Sequence, residues 1–239
     1  MERAVRLVAW NCCTGPLDRK LAALKALDPD IAVIPECPRL PASAGTTFWL
    51  GANPRKGLGV LVKKPWRIVR ATRRHDLPHY VQPLWVSGPE SFLLWAVWAC
   101  HHGTDRYVRG VHRAVEACGR LFRSGPTVML GDFNSNAIWD DEHPKERGHS
   151  ALVRKLHRLG LTSAYHAHYS ERQGLETRPT FFEYRHLHRP YHIDYCFLPH
   201  AWTTRIAAVS IGAHSEWAGN SDHMPIVVDL YPGDGRTPA

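Results

Sequence analysis

The sequence has no long hydrophobic run. Its longest, residues 92–100, spans nine residues, too short to cross a bilayer as a helix, so no membrane span is expected. It has no signal-peptide core either: the apolar stretch behind Met1-Glu2-Arg3 is a strand's length and Arg6 interrupts it. The six cysteines include no CxxC pair, and 239 residues are too many for a small disulfide scaffold. Reduced thiols in a cytoplasmic protein are the expectation. No cysteine stands at zinc-ligand spacing from the two HxH pairs, His166/His168 and His186/His188, which argues against a structural zinc. Repeats, low-complexity tracts and linkers are missing as well. Residues 1–231 are therefore expected to form a single domain, with 232–239 as a flexible tail.

Acidic residues are in short supply: 22 Asp+Glu face 30 Lys+Arg, a net charge of +8. A positive field favours polyanionic partners, whether nucleic acid, anionic membrane or phosphorylated small molecules, without choosing among them. A hydrophobic content of 44% with 18 prolines describes a globular protein with a sizeable core and many loops.

Several apolar runs end in a polar residue. The run at 127–130 lies between Gly125-Pro126 and Gly131, and reads as a buried strand. Gly131 lets the chain turn, and Asp132 and Asn134 follow two residues apart, on one side of an extended segment. A carboxylate and an amide so placed suit hard-metal and phosphate chemistry, although Gly-Asp and Asn-Ser are also ordinary turn formers. The first strand, 5–10, delivers Asn11; a second, 30–36, ends on Glu36, for which a solvated loop carboxylate is the alternative. Run 92–100 leads into His101-His102. In the strand 192–198 Asp194 faces the same way as His192, and Asp222-His223 precede the last strand, 225–230. An imidazole that moves protons needs an orienting carboxylate, a role Asp194 could fill for His223.

Other segments supply the frame. Leu17, Leu21, Leu24 and Leu27 recur at helical spacing, and helices are also expected over 109–122 and 151–159. Short strands are expected at 48–50, 57–62, 83–86, 161–165, 179–184 and 206–211. The basic group Arg67, Arg70, Arg73 and Arg74 reads as a solvated face, with a polyanion contact as the alternative. Strands and helices mix without strict βαβ alternation, which points to two sheets packed face to face with helices outside.

The order Trp10-Asn11, Pro35-Glu36, Gly131-Asp132-Phe133-Asn134, Ile193-Asp194-Tyr195, Ser221-Asp222-His223 resembles the endonuclease/exonuclease/phosphatase superfamily. That superfamily takes in exonuclease III-type enzymes, pancreatic-type deoxyribonucleases, sphingomyelinases and inositol polyphosphate phosphatases. The similarity runs from Trp10 to Pro225 and includes Gly57-Leu58-Gly59-Val60 and Thr180-Phe181.

The resemblance implies an α/β fold, a four-layer α/β/β/α sandwich of two mixed sheets flanked by helices. Glu36, Asn11, Asp222 and Asp132 would hold Mg²⁺, with Mn²⁺ as substitute. Asp132 and Asn134 would position the attacking water and the phosphate, and His223, oriented by Asp194, would act on the phosphoryl group. His101 is assigned as phosphate contact or acid with His102 as alternative; members carry His, or Tyr with Asn, at that strand end. Asn11, His102, Asn136 and Trp217 are the substrate-binding candidates, Trp217 as a stacking surface or, alternatively, a core residue. The expected activity is metal-dependent phosphodiester hydrolysis by a nuclease, on DNA ahead of RNA. Alternatives are a phosphatase or phosphodiesterase of small or lipid phosphate esters and, more remotely, a non-catalytic scaffold. Nothing in the sequence fixes the oligomeric state.

Overall fold

Runs of β-branched and aromatic residues become strands whose two faces are both covered. The computed structural model describes residues 4–72, 77–104 and 106–233. The first half forms β1 (Val5–Ala9), α1 (Leu17–Ala26), β2 (Ile31–Cys37), β3 (Thr47–Asn53), β4 (Lys56–Val62), β5 (Arg67–Arg70), β6 (Val81–Ser87), β7 (Phe92–Trp98) and α2 (Val108–Ala117). The second half forms β8 (Thr127–Asp132), α3 (His149–Arg158), β9 (Leu161–Ser163), α4 (Ala164–Tyr169), β10 (Phe181–Phe182), β11 (Pro190–Tyr191), β12 (Asp194–Pro199), β13 (Ile206–Ile211), α5 (His214–Trp217) and β14 (Ile226–Leu230).

Two six-stranded mixed sheets result, ordered β13-β14-β1-β2-β4-β3 and β5-β6-β7-β8-β12-β9. Between them lies a core that includes Leu7, Val33, Val60, Leu94, Leu130 and Val228. Burying each such side chain contributes about 1.5–3 kcal/mol. Leu17, Leu21 and Leu24 of α1 cover the outer face of the first sheet against Val8, Ala32 and Val227. Val111 and Val115 of α2 and Leu152 and Leu156 of α3 cover the second against Leu93, Trp95 and Met129. This is the expected four-layer α/β/β/α order.

Strand direction places the site. β1 runs parallel to β2, and β7 parallel to β8, so the residues that end these strands emerge at one rim. β14 is antiparallel to β1 and β12 to β8, so at the same rim the chain enters those strands. Asp194 pairs directly with Asp132 across the β8–β12 ladder. Gly131, at φ +141°, lies inside β8, where a Cβ would collide with the carbonyl oxygen of Val97 on β7. Glycine is required here for close strand approach as much as for a turn.

Some expectations need correction. The strand expected at 161–165 stops at Ser163, and Ala164 and Tyr165 turn inward on α4, whose Tyr169 hydroxyl donates to the Val209 carbonyl. The strand at 179–184 shrinks to β10, because Tyr184 and Arg185 adopt positive φ. The helix at 109–122 breaks at Cys118 (φ −122°, ψ 27°) and continues as a 3-10 turn, Gly119–Arg123. Arg67 and Arg70 belong to an edge strand, β5, paired with β6; exposed arginines on an edge disguise it as a loop. Arg73, Arg74 and residues 234–239 of the expected tail lie outside the described residues. Among those described, no helix is long and apolar enough to cross a membrane.

Candidate active site

The rim brings together side chains remote in sequence. Trp10 N–H donates to Val33 O and Cys12 N–H to Pro35 O, which extends the β1–β2 ladder and carries Asn11 past the strand end. Asn11 Nδ2 donates to Asp132 Oδ2 (2.9 Å), and Asn11 Oδ1 accepts Cys13 N–H (3.0 Å). Asn134 donates twice to the same carboxylate, N–H to Oδ1 and Nδ2 to Oδ2, both at 2.8 Å. Asp132 thus accepts three hydrogen bonds of the roughly four a carboxylate can take, so one acceptor position on Oδ1 is left.

His223 enters from the other sheet. Its Nδ1 lies 2.8 Å from Asp194 Oδ2, so the neutral ring carries its proton on Nδ1 and presents Nε2 to the rest of the site. Its backbone is pinned by N–H to Ser221 Oγ (3.0 Å), while Ser221 Oγ–H donates to Asn11 O (2.7 Å). Thr180 Oγ1 accepts Ile193 N–H and Asp194 N–H, fixing the start of β12.

Asp132, Asp194 and His223 are all buried, with ligand atoms within 4.8 Å of one another, the one such cluster among the described residues. Burial pushes the Asp132 carboxyl up to about 7; the His223 charge pulls it down and the Asp194 charge adds to the rise. Burial alone would lower His223, but the Asp194 and Asp132 charges and the hydrogen bond to Asp194 outweigh it and raise the imidazolium to about 9.

Glu36, near the end of β2, and Asp222, in the turn before β14, approach the same place. Cys13 lies against Asp222 and also feels the Glu36 charge; Cys100, just past β7, feels both Asp132 and Glu36. Glu36 sits at φ +58°, Asn134 at +44° and Cys13 at +52°. Such backbone costs about 1–3 kcal/mol per residue and tends to collect at functional sites.

These donors suit a hard divalent cation. Glu36, Asp132 and Asp222 are carboxylates, and Glu36 Oε2 already holds a cation, the Lys56 ammonium, at 2.9 Å. Asp194 Oδ1 is buried and accepts no hydrogen bond among the described residues, which leaves an unsatisfied acceptor in the cluster. Asn11, expected as a metal ligand, has its amide on Asp132 and its oxygen on Cys13, and its direct contact in this structure is with the carboxylate.

Four expected residues stand elsewhere. His101 is exposed, and His102 is exposed and stacked on His79 (4.8 Å), because β7 ends at Trp98 and Cys100 takes the place beside Asp132. Trp217 is 8% exposed and packs edge-on against Trp10 at 5.0 Å, so it offers no free face to a base. Asn136 is buried: Nδ2 donates to His192 O, the Tyr195 hydroxyl oxygen and Glu176 Oε2, and Oδ1 accepts Ile138 N–H. It holds the loop that carries Asn134. A further chain supports that loop, from Ser135 Oγ to His149, Gln173, His166 and Glu176. Burial holds His149 down to about 4, and hence neutral.

Sequence reasoning missed the cleft beside the carboxylates. It measures about 340 Å³ and is lined by Tyr107, Asn134, Trp139, Phe181, Tyr191 and Ile193, with Glu183. Trp139 and Tyr191 lie 5.1 Å apart, and Phe181 packs on His223 at 4.6 Å. Thr180-Phe181 gave a partial signal; Trp139, in a short turn after Asn136, gave none.

A four-layer sandwich with amide-held and histidine-paired carboxylates at one rim is the architecture of a phosphate-ester hydrolase. A family model described as the endonuclease/exonuclease/phosphatase family matches residues 8–223. The chain belongs to that family, which comprises divalent-metal-dependent hydrolases of phosphate esters. No curated protein sequence matches it. Several solved structures share its fold. A 3′-5′ exonuclease from Neisseria meningitidis has TM-score 0.69 and 19% identity over 95% of this chain and 99% of that one. The endonuclease domain of TRAS1, a telomere-specific non-LTR retrotransposon, has TM-score 0.64 and 16% identity over 96% and 99%. A 3′ phosphatase from Neisseria bound to product DNA hairpin has TM-score 0.62 and 18% identity over 95% and 100%.

Proposed function

We propose that the protein is a Mg²⁺-dependent phosphodiesterase acting on nucleic acid, DNA ahead of RNA, with Mn²⁺ as a substitute ion. The observation that carries this reading is the aromatic-walled cleft beside Asn134 and His223. A small phosphate monoester has no use for four aromatic rings next to its phosphate, whereas a nucleotide's base and sugar stack on them. The net charge of +8 suits the same polyanion. Six free cysteines suit a reducing, cytoplasmic setting.

Glu36 and Asp222 would hold the ion beside Asp132, and when bound it would supply the charge that polarises a non-bridging phosphate oxygen and stabilises the leaving oxyanion. Asp132 accepts a proton from the attacking water through its remaining Oδ1 position. As the water oxygen bonds to phosphorus in line, the P–O ester bond opposite it breaks. Asn134, held by its two bonds to Asp132, orients a phosphate oxygen. His223, kept cationic by Asp194, stabilises charge on the phosphoryl group through Nε2.

The test is a substrate panel with Mg²⁺, Mn²⁺ or EDTA: supercoiled plasmid, linear and single-stranded DNA, abasic duplex, RNA and phosphomonoesters. Metal-dependent cleavage of a polynucleotide is expected. Turnover confined to monoesters would replace this reading with a small-molecule phosphatase.

A further inference from the structure

Lys56 was given no role by its sequence context, yet its ammonium sits against a carboxylate of the site. Lys56 opens β4 on the first sheet; its Nζ lies 2.9 Å from Glu36 Oε2 and 5.3 Å over the ring of Trp98, the last residue of β7 on the second sheet. Its charge also reaches Cys100, the residue beside Asp132. The Lys56 side chain is 43% exposed and that of Glu36 20%, so the pair is partly hydrated and readily exchanged.

Two features give this pair meaning. Glu36 is held at positive φ with its carboxylate turned toward a cation. The β7 end brings a neutral thiol to Asp132, with its two histidines exposed beyond it. Beside Glu36, Lys56 is the cation placed against a site carboxylate. A flexible four-carbon stem lets an ammonium move between two anions a few ångströms apart.

We infer that Lys56 is a place-holding cation: it neutralises Glu36 in the metal-free protein, and when a divalent ion takes Glu36 it turns to the substrate phosphate. This rests on the phosphodiesterase reading above.

The test uses the full-length protein, MnCl₂ titrations followed by electron paramagnetic resonance without substrate, and a single-stranded oligonucleotide bound at several salt concentrations. Lys56→Gln should bind Mn²⁺ about fivefold tighter than wild type, since a competing ion pair of about 1 kcal/mol is gone. Its oligonucleotide affinity should fall, and its salt slope should drop by about one. Lys56→Arg should behave as wild type. Lys63→Gln removes the same charge just past β4, where Lys63 pairs with Asp28, and should leave Mn²⁺ affinity unchanged. If Lys56 merely staples the hairpin, Lys56→Gln lowers Tm and binds Mn²⁺ no tighter, which overturns the inference. Wild-type protein that binds no Mn²⁺, or Glu36→Gln that binds it equally well, would instead remove the metal site itself.

Discussion

His223 Nδ1 and Asp194 Oδ2 lie 2.8 Å apart, Asp194 opening β12 of one sheet and His223 standing in the turn that leads into β14 of the other. The contact closes the sandwich at the rim where Asn11 also crosses to Asp132. Inter-sheet packing and site geometry therefore share the same bonds. Asp194→Asn keeps the shape but removes the charge that holds His223 cationic. We expect turnover to fall about 10²–10⁴-fold with KM little changed. Proton NMR should show the His223 titration moving from about 9 toward its ordinary range.

Activity should follow a bell-shaped pH profile. Asp132 must be ionised to accept a proton and His223 must be protonated to carry charge, so the limbs fall near pH 7 and pH 9. Saturating divalent ion favours the Asp132 carboxylate and should move the acid limb lower. A kcat/KM profile at two Mn²⁺ concentrations checks this.

Stability should fall in alkali. The folded pKa of His223, about 9, stands above its ordinary 6.5, so its bound proton stabilises the fold below pH 6.5. That contribution, up to about 3 kcal/mol, is lost as pH rises through 9. Urea unfolding of metal-free protein at pH 6.5 and 9.5 measures it, and His223→Gln should flatten the difference.

Gly131→Ala should lower stability and activity together. Its Cβ meets the Val97 carbonyl oxygen at positive φ, a combined clash and strain expected to cost more than about 2 kcal/mol. Gly119→Ala, where a Cβ meets nothing within 4 Å, is the control and should leave the melting temperature nearly unchanged.

Trp139→Ala should separate binding from chemistry. Loss of one stacking ring is worth about 1–3 kcal/mol of oligonucleotide binding, read as a raised KM. Turnover of a small diester such as bis(p-nitrophenyl) phosphate should stay near wild type, because Trp139 lies on the cleft wall away from Asp132.

The polar strand ends were legible in the sequence because a carboxylate or amide that closes a buried apolar run stands out against its neighbours. Asn11, Glu36 and Asp132 declared themselves this way, and Asp194 and Asp222-His223 did so at the start of such a run or just before it. The two-sheet reading follows from strands and helices that mix without strict βαβ alternation. Tertiary context hid the rest. Trp217, in a Gly/Asn-containing loop, reads as either a stacking surface or a core residue until Trp10 is seen to cover it. His101 and His102 follow a strand end, but the turn at Cys100 directs them outward. Lys56 enters β4 from a tight turn and Trp139 lies in a short 3-10 turn, and where either side chain ends up depends on packing the sequence does not encode locally.

The most direct measurement is plasmid cleavage by protein stripped with EDTA and reloaded with Mg²⁺, with Glu36→Gln alongside. Cleavage should vanish on stripping, return with Mg²⁺, and be nearly absent in the variant. Cleavage that persists in EDTA, or a Glu36→Gln protein keeping roughly a third or more of wild-type turnover, would contradict the account.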